Sequence, residues 1–181
     1  MHARHVRQLA AAGLLAALGM AWPLRASAAI PSAYAPIVVQ PTPTPQGVEF
    51  DLTPALRRAR SEGKRLYVYL GATDCPFCYR YEEFLHHNAA ALVPHFSRQY
   101  LVVDLRSRLS VKAAQLHLRV GASSLDYTAF QRSIGDERAR QLVYPSIWLL
   151  DHDAKPLMPM PAGTGTFETV PEQLEILRLE Q

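Results

Sequence analysis

KRLYVYLGATDCPFCYRYEEFL, residues 64 to 85, decides the fold. In its first part Leu66, Val68 and Leu70 alternate with Tyr67 and Tyr69, so both faces of an extended segment are largely apolar. A strand of that kind is a central one, covered by helices, as in parallel sheets. After Gly71 the period changes. Phe77, Tyr81, Phe84 and Leu85 recur at helical spacing, while Arg80, Glu82, Glu83, His86 and His87 take the other face. That pattern predicts an amphipathic helix. At the junction stand Cys75 and Cys78, the two cysteines of the chain.

A cysteine at a strand end and helix start is placed for chemistry. Pro76 fits the first helical turn, where its missing N–H costs nothing. The free N–H groups and the helix dipole favour the thiolate of Cys75. Cys78 falls one turn further in, on the same side, as the more buried, resolving thiol. Cys75 would attack a disulfide, form a mixed disulfide, and be released by Cys78; the same steps reversed oxidise a dithiol. Three other readings compete. A structural disulfide closing so short a loop removes little chain entropy. Structural zinc needs four ligands, and there is no second CxxC. Copper(I) on two thiolates is chemically possible.

Outward from this unit the same alternation continues. Thr53 and Pro54 read as the cap and first turn of a helix that Gly63 ends. Residues 91–98 suggest a short helix around Pro94. YLVVDL, 100–105, and SIWLL, 146–150, are two further buried strands, and Trp148 reads as core. DHDAK is a turn, and PLMPMP, with Met158 and Met160, is at best an irregular edge. Thr169 and Glu172 form a capping box for a closing helix. Strands alternating with helices predict an α/β layered domain. Residues 107–142 are a long connection with one readable helix, Asp126 to Ile134, and long connections are often functional.

The start of the chain reads differently. Arg4 and Arg7 precede an apolar run of about 13 residues, too short to span a membrane, and Ala26 and Ala28 follow in the small-residue pattern of a cleavage site. Residues 1–28 are therefore expected to be a secretory signal peptide cut after Ala28. Five prolines in residues 29–47 predict an extended tether over 29–48, with an added edge strand at Ile37 to Val39 as the alternative. The chain carries 19 Lys and Arg against 16 Asp and Glu. Loss of Arg4, Arg7 and Arg25 would leave 16 against 16, so charge gives no case for nucleic acid. An oxidising, exported compartment lets a disulfide persist.

KRLYVYLGATDCPFCYRYEEFL, YLVVDL, VYPSIWLLDHDAKPL and TFETVPEQLEIL, in that order, resemble the thioredoxin superfamily, and within it the exported bacterial thiol:disulfide interchange proteins. The resemblance implies a thioredoxin fold over 49–181: a central mixed sheet flanked by helices, with 107–142 as a helical insertion before a cis-proline strand. It implies that Pro145 is cis and faces the cysteines, that the Tyr144 backbone pairs with an incoming peptide, and that Pro76 and Phe77 help form the docking surface. Two departures stand out. Thioredoxins carry a buried Asp six residues before the first cysteine, where this chain has Tyr69, so either Cys78 is activated through water or another carboxylate or its deprotonation is slow. The intervening pair is Pro-Phe, as in glutaredoxins and some exported disulfide-bond proteins, without the histidine of the strong oxidase.

These readings give a periplasmic thiol–disulfide oxidoreductase with catalytic Cys75 and Cys78, monomeric or weakly associated, with no metal and no bound organic cofactor. Its expected partners are exported proteins with thiols or disulfides and a membrane thiol donor or acceptor, with reduction slightly preferred. The alternatives are an oxidase or isomerase, a copper(I)-binding or delivery protein, and an interaction module with a vestigial site.

Overall fold

The computed structural model describes residues 29–135, 141–158 and 168–178. The expected signal peptide, residues 1–28, and Met160 lie outside them. The architecture is mixed α/β, with two mixed sheets flanked by helices.

The first sheet is built around β4 (Arg65–Ala72) in the order β1 (Ile37–Val39), β5 (Tyr100–Ser107), β4, β8 (Ser146–Leu150) and β9 (Pro156–Met158). β4 pairs parallel to β5 and antiparallel to β8, with Val68 opposite both Val103 and Trp148. Leu66 to Leu70 are all fully buried, which is why both faces of this strand are apolar. Tyr67 and Tyr69 point towards α2 (Pro76–His87), α3 (Ala89–Gln99) and α5 (Val170–Arg178): Tyr67 meets Phe96 edge-on at 4.8 Å, and Tyr69 stacks on Tyr81 at 5.8 Å. Gln173 of α5 closes the layer by accepting from the Tyr81 hydroxyl at 2.6 Å. On the opposite face Trp148 packs against Phe130 of α4 (Tyr127–Ser133), with ring centres 5.4 Å apart.

α1 (Thr53–Glu62) ends at Gly63, whose φ of 61° is left-handed and favours glycine. Its start differs from expectation. Thr53 is not the cap: Leu52 precedes the helix, Asp51 Oδ1 accepts the Thr53 N–H at 2.9 Å, and the Thr53 hydroxyl accepts from Gly121 N–H at 3.0 Å. The threonine ties two segments together instead.

Two further expectations are overturned. Residues 29–48 are not a tether. Ile30 and Tyr34 are buried in the core, Ile37–Val39 adds to β5 as a parallel edge strand, and Thr42–Thr44 (β2) pairs with β3 (Gly47–Asp51). Prolines fit there because both strands lie at sheet edges, where a missing N–H leaves no ladder bond unmade. The connection 107–142 is not mainly helical either. It supplies β6 (Leu116–Val120) and β7 (Ser123–Asp126), which complete a second sheet in the order β2-β3-β6-β7. Only α4 in it is an α-helix among the described residues, and Asp126 caps it by accepting from Ala129 N–H at 2.9 Å.

Candidate functional site

β4 runs into a short turn, Cys75 N–H donating to the Ala72 carbonyl at 3.2 Å, and α2 begins with Pro76. Cys75 is therefore the N-cap. Its sulfur accepts the Cys78 N–H at 3.1 Å, which is how a capping atom satisfies an otherwise orphaned donor. Cys75 and Cys78 are joined as a disulfide with Cα atoms 5.3 Å apart. Cys78 is the deeper of the two, 0% against 4% exposed, and its sulfur accepts from Ala72 N–H at 3.5 Å.

The distant part of the site comes from the segment before β8. The Tyr144–Pro145 peptide is cis, Pro145 is buried, and the Tyr144 carbonyl oxygen lies 3.7 Å from Cys75 Sγ. The Tyr144 hydroxyl donates to Ser107 Oγ at 2.8 Å, and burial pushes its pKa up to about 12. Segments far apart in sequence thus meet at one sulfur. Pro76 and Phe77 are exposed beside it, and the Arg80 guanidinium covers the Phe77 ring at 5.6 Å. Leu109 is also exposed, its N–H held by Asp74 Oδ1 at 2.8 Å. These side chains give the cysteine end an apolar rim. A cleft lined by Pro41, Pro43, Thr73, Arg106, Arg108 and Val111 opens next to it and shares Ser107 with Tyr144.

One residue at the candidate site differs from the expectation of its helical pattern. The amphipathic pattern puts Glu82 on the solvated face of α2, yet it is 5% exposed. It lies one turn beyond Cys78 on the buried side, where its Oε1 accepts from the Tyr69 hydroxyl at 2.7 Å. Burial is the largest influence and pushes its pKa up to about 7, against the bonds from Tyr69 and the Ala29 backbone. The Tyr69 hydroxyl is held well above its ordinary value by burial first and the Glu82 charge second. Tyr69 was the signal in the sequence: a phenol inside a core needs a partner, and a carboxylate on the facing helix supplies it. Across β4, Asp104 stands opposite Tyr69. It too is buried, which raises its pKa against the pull of Arg106.

His86 and His87 are exposed on α2, as expected of a solvated face. Among the described residues no three His, Cys, Asp or Glu side chains are grouped to hold a metal ion, and no described helix is long and apolar enough to cross a membrane. A disulfide at a helix N-terminus, with a buried carboxylate one turn beyond it, can undergo thiol–disulfide exchange. No family model, no curated protein and no solved structure matches this chain.

Proposed function

We propose that this protein is an exported thiol–disulfide oxidoreductase of thioredoxin type, cleaved after Ala28 and working on the thiols and disulfides of other exported proteins. The observation that carries the reading is the surrounding of one sulfur: Cys75 Sγ caps α2, bonds Cys78 N–H at 3.1 Å, and lies 3.7 Å from the Tyr144 carbonyl beside Pro145. The helix N-terminus stabilises a thiolate there, and the apolar rim with Phe77 and Leu109 offers a docking surface.

In the reducing direction the Cys75 thiolate attacks one sulfur of a client disulfide. The client's other sulfur leaves as a thiolate and takes a proton from water. Cys78 then loses its proton to Glu82, attacks Cys75 Sγ and displaces the second client thiolate. Two electrons have passed to the client, and Cys75–Cys78 is a disulfide. A membrane-bound dithiol returns the pair to the reduced state. Oxidation of a client dithiol runs the same steps backwards, with a disulfide acceptor in place of the donor.

The test is the equilibrium reduction potential of the Cys75–Cys78 couple in dithiothreitol and glutathione buffers. A value near about −270 mV supports a reductase. A value of roughly −120 to −180 mV turns the direction to oxidase or isomerase. Absence of a reversible couple overturns the redox reading, and tight uptake of one copper(I) by the reduced protein would then favour metal delivery through the two thiolates.

A further inference from the structure

Behind Cys78 lies a buried cluster whose charges do not balance. Glu82 and Asp104 are 5% and 1% exposed and share the Tyr69 side of the first sheet. One cation reaches them: Arg106 Nε and Nη2 each lie 2.9 Å from Asp104 Oδ2. Asp104 Oδ1 is buried and has no hydrogen-bond partner among the described residues. With both carboxylates ionised, two against one guanidinium leave a charge of −1, which is costly when buried and is avoided in the unprocessed chain by Glu82 keeping its proton to about pH 7.

The remaining donors come from the first described residues. The Ala29 backbone bonds to Glu82, and Ile30 N–H donates to Asp104 Oδ2 at 3.4 Å. Their place is fixed. Ile30 is 3% exposed, the Tyr34 hydroxyl donates to the Leu85 carbonyl at 2.9 Å, and β1 pairs with β5 just beyond. Ala29 is also the residue that the export reading puts at the new N-terminus. While Ala29 is in peptide linkage its nitrogen is neutral with one N–H. Once freed, it is a cation with three.

We propose that the α-ammonium group released at Ala29 by cleavage after Ala28 docks between Glu82 and Asp104 and completes the charge of this cluster. The inference rests on the export reading above. Processing then does more than release the chain: it holds Glu82 ionised one turn from Cys78. The groups facing the ammonium are Glu82 from α2, Asp104 and Arg106 from β5, and the Tyr69 hydroxyl from β4. Two anions and one cation raise its pKa above the ordinary value of about 7.7–8.0. A group whose folded pKa is raised stabilises fully below the unfolded value, and the stabilisation is lost as pH rises through the folded one.

The experiment compares the exported, processed protein with a variant carrying one glycine inserted between Ala28 and Ala29, so that cleavage at the same site frees glycine instead. In the variant the Ala29 nitrogen is again a neutral amide with one N–H. N-terminal mass is measured for both, then thermal unfolding from pH 6 to 10. The expected result is an N-terminus at Ala29 and a midpoint a few degrees above that of the variant at pH 6–7. That gap narrows as pH rises above about 8, and it shrinks when Glu82→Gln is introduced into both. Equal midpoints at every pH, with Ala29 at the N-terminus, would overturn the proposal and leave the export reading intact. An N-terminus elsewhere would overturn cleavage after Ala28 and the proposal with it, and the mass alone tells these two failures apart.

Discussion

At the scale of single residues the site divides its labour by depth. Cys75 is at the rim, where the helix end lowers the cost of its thiolate; Cys78 is beneath, away from water, where ionisation of a thiol is disfavoured. Cys78→Ser should therefore trap a mixed disulfide between Cys75 and a client, seen as a shifted band on a non-reducing gel, whereas Cys75→Ser should leave no adduct. Glu82→Gln should slow the resolving step by about tenfold or more while leaving the first attack little changed, as expected when a positioned base is lost. The assay is decay of a preformed mixed disulfide, and equal rates in the two proteins would remove Glu82 from the mechanism. Stability carries a second signature. With Ala29 in peptide linkage Glu82 holds its proton to about pH 7 in the fold, against about 4.3 in the unfolded chain. The folded state binds more protons in that window, so stability falls as pH rises across it, and Glu82→Gln should abolish that fall in urea titrations of the glycine-inserted protein. The cysteine pair was legible from sequence because strand, turn and helix are local. Glu82 was not. Helical periodicity marks polar residues as outward, and only the packing of α2 on β4 shows that the Tyr69 hydroxyl meets this one.

Elements tell a similar story about what is local. β4, β5, β8, α2 and α5 each carry their own period or cap, and the structure has them within a residue or two of expectation. β2, β3, β6 and β7 are short strands in two local hairpins, and although Val48 and Phe50, and Leu116, Leu118 and Val120, alternate with polar residues, β3 and β6 are joined into one sheet only by pairing with each other across a long stretch of sequence. β3 aligns with β6 in parallel, Phe50 opposite Leu118, and both residues are fully buried. No reading of either segment alone reveals that contact. Gly47 shows how tight the junction is. Its φ is +149°, and a Cβ there would lie 2.1 Å from the Gln115 backbone oxygen. The obstacle is backbone, which cannot swing aside. Gly47→Ala should therefore destabilise by about 1–3 kcal/mol, the range for forced overpacking. The loss should appear as a lower urea midpoint with unchanged slope. An unchanged midpoint would mean that β3 and the Ala113–Gln115 turn separate without cost.

On the scale of the whole molecule the question is whether the second sheet is an appendage or part of one core. Two connections join it to the first. Leu52 N–H bonds the Arg119 carbonyl at 3.0 Å, tying the entry of α1 to β6. Within the second sheet itself Glu49 of β3 binds Arg119 of β6, 2.6 Å from its guanidinium, and Ser124 of β7. These bonds hold Glu49 below the usual carboxylate range, the Ser124 bond contributing most. The second connection is apolar. Phe130 and Tyr127 of α4 pack on Trp148 in the middle of β8, and Trp148 Nε1–H donates to Gln131 at 3.2 Å. Tyr127 and Phe130 are at most 1% exposed, so the contact is a core and not a surface patch. A connection anchored in this way cannot unfold while the first sheet stays intact, because doing so would leave Trp148 and its neighbours facing water. Phe130→Ala should cost about 3–5 kcal/mol, and the loss should fall on the entire fold. Trp148 is the one tryptophan after residue 28, so its fluorescence reports the junction while far-ultraviolet circular dichroism reports both sheets. The two should trace a single urea transition in the wild-type protein, and the same single transition at a lower midpoint in Phe130→Ala. Fluorescence changing before circular dichroism in the wild type would instead make the second sheet a separate cooperative unit. Access to the cysteine end, where Thr73 and Ser107 border the cleft beneath β2, would then be governed by local opening of that unit.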